Sequence, residues 1–174
     1  MKSLIITLVW AMMFAAMPCM AQNDCGRHGE RKHEKRHHRP HYYIGANAVF
    51  FGDRKVEGAS VASFKVLNDG YAKDSWSVYF DGTKIKDASC NSFTVLGHGY
   101  AKDSWSVYFD GTKIKDASCN SFTVLGHGYA KDSWNVYYYG KKIEGASSDS
   151  FKCDSHGYAH DSWNTYFRGR KVEK

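Results

Sequence analysis

Residues 70–96 read GYAKDSWSVYFDGTKIKDASCNSFTVL, and residues 99–125 repeat this stretch letter for letter. Gly-Tyr pairs, Trp and Phe recur at steps of 29 residues along the rest of the chain. In an earlier copy Val49-Phe50-Phe51 aligns with Val78-Tyr79-Phe80, and Asn47 stands where the later copies have Trp. A fixed period of this kind predicts stacked repeats, in which each unit buries its apolar face against its neighbours.

The local code within each unit is that of β-structure. Val78–Phe80 and Thr83–Ile85 flank Asp81-Gly82, which suits a type I′ turn because both central residues need positive φ. This turn predicts a hairpin that pairs Val78 with Ile85 and Tyr79 with Lys84. Residues 93–96, the Gly97-His98-Gly99 turn and residues 100–102 predict a second strand–turn–strand.

The alternation of side chains along the hairpin predicts which residues face the core. The predicted core-facing set is Trp76, Val78, Phe80 and Ile85, and the outward-facing set is Tyr79 and Lys84. The repeated tryptophans are therefore expected to seal the units against one another, with Trp105 and Trp134 more buried than Trp163.

The predicted fold class is all-β, built from tandem 29-residue antiparallel β-hairpin repeats in an open, elongated stack. Residues 42–174 form the array and span about 4.5 periods. A closed propeller needs a whole number of blades of roughly 40 residues or more. The short period and the half unit therefore favour the open stack.

The first 21 residues are predicted to be a signal peptide. Lys2 supplies a positive charge, residues 4–16 are apolar, and Cys19 and Ala21 allow cleavage before Gln22. The chain is therefore expected to be exported, whether periplasmic, secreted or at the cell surface. A lipoprotein with lipidated Cys19 is the alternative, although Pro18 precedes that cysteine where a small residue is usual.

Four cysteines remain after cleavage: Cys25, Cys90, Cys119 and Cys153. An even number in an oxidising compartment allows disulfides, in any of three connectivities. Free thiols are the alternative, because the spacings match no known framework.

Residues 22–41 are predicted to be a disordered His/Arg/Lys-rich linker. Its histidines are His28, His33, His37, His38 and His41. Such a tail can chelate a transition metal, or it can be a solvated basic linker that attracts anions in a salt-dependent way. The tail and the signal carry most of the net charge of +6, so no specific nucleic-acid binding is predicted for the array.

His98, Asp103 and Ser104 have the residue types of a hydrolase triad, and the same trio recurs in later units. Catalysis needs one pre-organised constellation, whereas a trio copied with every unit is typical of turn chemistry in which Asp accepts local backbone bonds. No catalytic residue, cofactor or enzyme activity is therefore predicted. The recurring His98, His127 and His156 are expected to be solvated turn residues rather than a metal ladder.

The outward-facing Tyr and Lys residues are the predicted ligand surface. The pairs are Tyr79 with Lys84, Tyr108 with Lys113, Tyr137 with Lys142, and Tyr166 with Lys171. Exposed on one face, they would form a stripe able to stack on sugar rings or flat ligands and to contact anions. The alternative is that each Tyr covers a Lys stem and only stabilises the hairpin.

The array resembles the DKNYYY repeat family of exported bacterial proteins over about residues 42–174. The resemblance rests on Tyr129-Ala130-Lys131-Asp132, Val136-Tyr137-Tyr138 and Gly140-Lys141-Lys142-Ile143. Ser133-Trp134 stands where the family usually has Lys-Asn. The resemblance implies an exported repeat protein and brings no ligand or activity with it.

These observations together predict a non-enzymatic binding or scaffolding module that contacts protein or glycan, because stacked repeats extend a surface without a new core. The alternative function is a metal-handling periplasmic protein that uses the histidine-rich tail.

Overall fold

A computed structural model describes residues 40–172, which form five antiparallel β-sheets. The first sheet contains β1 (Tyr42–Ile44), β2 (Val49–Phe51) and β3 (Arg54–Lys55). The second contains β4 (Lys65–Val66), β5 (Tyr71–Lys73), β6 (Val78–Phe80) and β7 (Thr83–Ile85). The third contains β8 (Thr94–Gly97), β9 (Tyr100–Lys102), β10 (Val107–Phe109) and β11 (Thr112–Ile114). The fourth contains β12 (Thr123–Gly126), β13 (Tyr129–Lys131), β14 (Val136–Tyr138) and β15 (Lys141–Lys142). The fifth contains β16 (Lys152–Cys153), β17 (Tyr158–His160), β18 (Thr165–Phe167) and β19 (Arg170–Lys171).

The strands of each sheet pair in chain order, which confirms the all-β fold class and the predicted hairpin. Val78 pairs with Ile85 and Tyr79 with Lys84. Asp81 and Gly82 have φ of 45° and 76°, as a type I′ turn requires. β5 also pairs with β6, so the repeating unit is a continuous four-stranded sheet. Within the described residues the sole helical segment is a short 3₁₀ turn, Val61–Ser63.

The sheets stack face to face, and each contact between neighbours buries its own apolar cluster. In the cluster between the second and third sheets, Tyr71 and Val78 come from one sheet and Ala101 and Tyr108 from the next. Phe93 lies between them, with its ring centroid 5.4 Å from that of Tyr71 and 5.7 Å from that of Tyr108. The recurring Phe therefore fills the space between successive units.

The tyrosine of each Gly-Tyr pair ties its unit to the next one. The Tyr71 hydroxyl donates to the Gly99 carbonyl at 2.9 Å and accepts from the Gly111 amide at 3.1 Å. Equivalent bonds from the amide of the next turn reach the hydroxyls of Tyr42, Tyr100 and Tyr129. These buried polar groups are satisfied across the unit boundary, which links the register of one sheet to that of its neighbour.

The prediction that Tyr79, Tyr108, Tyr137 and Tyr166 face solvent is wrong. These four side chains are 0–2 % exposed. The alternation of faces was assigned as it is for a sheet with one solvated side, but in a stack the next unit covers the second side as well. Only the lysines of the predicted pairs, Lys84, Lys113, Lys142 and Lys171, are exposed.

The prediction that the tryptophans seal the units is also wrong. Trp76, Trp105, Trp134 and Trp163 are 80–82 % exposed, with no difference between internal and terminal units. Their place between the units is taken by the recurring Phe and Tyr rings.

The stack is open, because the apolar clusters join only successive sheets among the described residues. Cys90, Cys119 and Cys153 are free thiols, and no disulfide joins them. Within residues 40–172 no helix is long and apolar enough to cross a membrane. The predicted signal peptide, Cys25 and most of the predicted linker lie outside the described residues.

Candidate functional site

The tryptophans lie in tight turns that connect the two central strands of each sheet. In the third sheet the turn is 103–106, closed by a bond from the Asp103 amide to the Ser106 carbonyl at 3.0 Å. The Asp103 Oδ1 accepts from the backbone amides of Trp105 and Ser106 at 2.8 and 2.7 Å. These bonds confirm that the recurring Asp accepts local backbone hydrogens, because Asp favours turns by this mechanism.

The second carboxylate oxygen of the same Asp connects the turn to the rest of the stack. Asp103 Oδ2 accepts from the Ser89 amide and from the Tyr108 hydroxyl, each at 2.9 Å. Partial burial raises the pKa of Asp103, but its four hydrogen bonds outweigh that effect and hold the pKa below its usual range. Burial, and next the bond to this carboxylate, raise the pKa of Tyr108 to about 12.

This turn explains why Trp and Tyr are placed opposite to prediction. β10 begins at Val107, so the alternation of the strand does not extend back through the corner residue Trp105. A corner side chain points away from the end of the sheet, and the indole is left in solvent. The signal was present in the sequence as Asp-Ser-Trp-Ser, since Asp four residues before a strand residue is a turn former.

The linkers between units hold each turn on both sides. The Ser104 amide donates to Ser92 Oγ of the preceding linker at 3.1 Å. The Cys119 thiol of the following linker donates to the Ser104 carbonyl at 3.2 Å. The backbone that carries Trp105 is therefore fixed by neighbouring chain segments, and the indole stands on a rigid support.

We call the surface formed by these four turns and their indoles the tryptophan edge. Its turns are 74–77, 103–106, 132–135 and 161–164, and the Asp bonds that build the turn recur in each of them. Within the described residues it is the place where one large side chain is exposed at the same position in four successive units.

The predicted Tyr–Lys stripe is not assembled at the surface. Lys84 lies on β7, and its counterparts lie on β11, β15 and β19, which are the last strands of their sheets. Exposed lysine on an edge strand discourages pairing with another chain, which accounts for this row without a ligand.

The triad residue types are not brought together. His98 precedes β9 and Asp103 follows it, so they lie at opposite ends of a strand, and Asp103 is occupied by its structural bonds. His98 and His127 are exposed and have positive φ, which confirms that they are solvated turn residues. The absence of enzyme activity stays a prediction.

His41 is exposed, and only its carbonyl is bonded, by the Gly52 amide at 3.0 Å. Residues 40–172 contain no group of three or more His, Cys, Asp or Glu side chains arranged to hold a metal ion. His28, His33, His37 and His38 lie outside the described residues, so metal binding by the tail stays a prediction.

The opposite ends of the sheets carry open grooves between successive turns. One groove is lined by His127, Tyr139 and Asp154, and another by Asp69 and Asp110. Burial, and next the charges of Asp81 and Asp69, raise the pKa of Asp110. The side chains that line these grooves change from unit to unit, so they do not form a repeated site.

The fold and the tryptophan edge define an all-β tandem-repeat protein with a repeated aromatic surface. A sequence profile of the DKNYY family matches residues 42–171, and the chain belongs to this family. No match to the chain was found among curated proteins or solved structures.

Proposed function

We propose that this protein is an exported, non-enzymatic binding module of the periplasm or cell surface that contacts a protein or a glycan through its tryptophan edge. The observation that supports the proposal is the exposure of Trp76, Trp105, Trp134 and Trp163, each at least 80 %. Tryptophan is the residue type most enriched at binding hot spots, and exposed aromatic surface of this regularity marks an interaction site.

The turn itself does not need tryptophan. In the first sheet the equivalent turn, 45–48, closes with the same bond, from the Gly45 amide to the Ala48 carbonyl at 2.9 Å. Asn47 occupies the tryptophan position there and is also exposed. Since the indoles stabilise neither the turn nor the core, their presence on four units is explained by contact with a ligand.

The experiment measures co-sedimentation with envelope fragments of the bacterium that produces the protein. We expect the wild-type protein to bind. A variant carrying Trp76→Ala, Trp105→Ala, Trp134→Ala and Trp163→Ala should lose at least tenfold in affinity, because it lacks every exposed indole. Its melting temperature should hardly change, since substitutions at exposed positions typically alter stability by less than about 0.5 kcal/mol each.

The matched control replaces the other exposed row, Lys84→Gln, Lys113→Gln, Lys142→Gln and Lys171→Gln. This variant should bind as the wild-type protein does. Binding that depends on the lysines and survives the loss of all four tryptophans would overturn the proposal.

A further inference from the structure

The tryptophan edge is aromatic and polar but not cationic. Trp105 follows the exposed Ser104, and the linker beside it exposes Asn91. The one cation that approaches from the adjoining strand, Lys102, is occupied, because its Nζ donates to the Cys119 carbonyl at 2.9 Å. Each indole is thus surrounded by hydroxyl and amide groups.

The charges at the starts of the linkers are balanced or acidic among the described residues. Lys86 is followed by Asp87, and Lys115 by Asp116. The other two linkers begin with Glu57 and Glu144, which lie 3.8 and 3.6 Å from lysines of their own units. A nucleic acid or an anionic membrane is bound through excess Lys and Arg, so this surface does not fit them.

The indoles are also too separated to form one apolar patch. Packed sheets lie about 10 Å apart, which agrees with a single Phe ring filling each interval between units. The turns are built alike and the sequence of two units is identical, so the indoles repeat at the sheet spacing with a common orientation. Burial of a hydrophobic peptide or a lipid surface needs contiguous apolar area, which single indoles separated by Ser and Asn do not provide.

We infer that the tryptophan edge binds a linear β-1,4-linked glycan, with one indole stacked on every second sugar ring. A pyranose ring presents a C–H face that packs on an aromatic ring, while its hydroxyls bond to Ser and Asn. Alternate rings of such a chain present the same face, so its repeat is a disaccharide, close in length to the spacing of packed sheets. This inference rests on the proposed function and specifies its ligand.

The test titrates the whole protein with chitohexaose and with cellohexaose, following heat and tryptophan fluorescence. Maltohexaose, in which α-1,4 linkage curls the chain, is the matched sugar control. At least one β-linked hexasaccharide should bind, and its affinity should exceed that of the tetrasaccharide and then the disaccharide, because each added disaccharide reaches another indole. Trp105→Ala should weaken hexasaccharide binding about threefold to tenfold, as expected from one lost aromatic contact.

Three results would overturn the inference. The first is no binding of either β-linked hexasaccharide. The second is equal binding of maltohexaose, since the match in spacing would then be irrelevant. The third is tryptophan-dependent dimerisation in sedimentation, or tryptophan-dependent binding to neutral phosphatidylcholine vesicles, without sugar binding. If envelope binding still requires the tryptophans in any of these cases, the proposed function stands and only its ligand class is wrong.

Discussion

At the scale of single residues, the recurring Asp organises each unit of this protein. Asp103 is buried and accepts four hydrogen bonds, two from its own turn, one from the preceding linker and one from Tyr108. Asp74, Asp132 and Asp161 make the same set of contacts. A carboxylate that satisfies this many donors joins turn, linker and core, which explains a polar residue at an invariant place in a repeat of apolar strands.

Asp103→Asn should therefore destabilise the protein by about 2–3 kcal/mol, the value typical of hydrogen bonds to a charged group. Urea unfolding followed by circular dichroism measures this loss. Asp116→Asn is the control, because Asp116 is an exposed linker residue, and it should leave stability nearly unchanged. Equal stability of both variants would contradict the structural role of Asp103.

The same carboxylates predict how stability depends on pH. Their folded pKa is lowered, to about 2 for Asp161, against about 3.9 in an unfolded chain. Their contribution is thus present above about pH 4 and is lost as pH falls toward about 2. The difference in stability between wild type and Asp103→Asn should shrink over that interval, and a difference that persists at pH 2 would show another cause.

At the scale of the element, the β6–β7 hairpin turn and its counterparts depend on glycine for two reasons. Gly111 has φ of 74°, and a Cβ atom added to it would lie 2.6 Å from the Cβ of Phe80 in the preceding unit. The turn of one unit is thus pressed against the strand of the previous one. Positive φ was readable from the Asp-Gly pair, whereas the close approach exists only in the stack.

Gly111→Ala should cost more stability than Gly97→Ala. Gly97 also has positive φ, at 97°, but no atom lies within 4 Å of its added Cβ. Backbone strain alone costs about 1–2 kcal/mol, and overpacking adds about 1–3 kcal/mol at Gly111. Thermal melting of the two variants makes the comparison, and equal losses would mean that the units do not press together at this turn.

At the scale of the whole molecule, five sheets make four contacts between neighbours, each with its own cluster. Stability of such an array is roughly a sum of unit and nearest-neighbour contributions. The faces left uncovered at the end of the described stack agree with this picture. Tyr158 of the fifth sheet is 43 % exposed, whereas its counterparts Tyr71, Tyr100 and Tyr129 are fully buried.

Removal of one whole unit should therefore leave a folded protein. Deletion of residues 99–127 joins His98 to Gly128 and restores the repeat without a seam. We expect an unchanged shape of the circular dichroism spectrum and a lower melting temperature, because one neighbour contact is lost. Deletion of residues 99–112 removes half a unit and should abolish cooperative melting, and similar behaviour of the two deletions would exclude a stack of independent units.

From the sequence alone, the period of 29 residues, the all-β class, the hairpin register and the type I′ turn followed directly, because each depends on neighbours along the chain. The face of each residue did not. Alternation places Tyr79 and Lys84 on one side of a strand, but only the stacked next sheet decides that this side is buried, and only the Asp74 turn decides that Trp76 leaves the strand before it begins. Burial depends on contacts across the stack, and those contacts move the candidate binding surface from the tyrosines to the tryptophans.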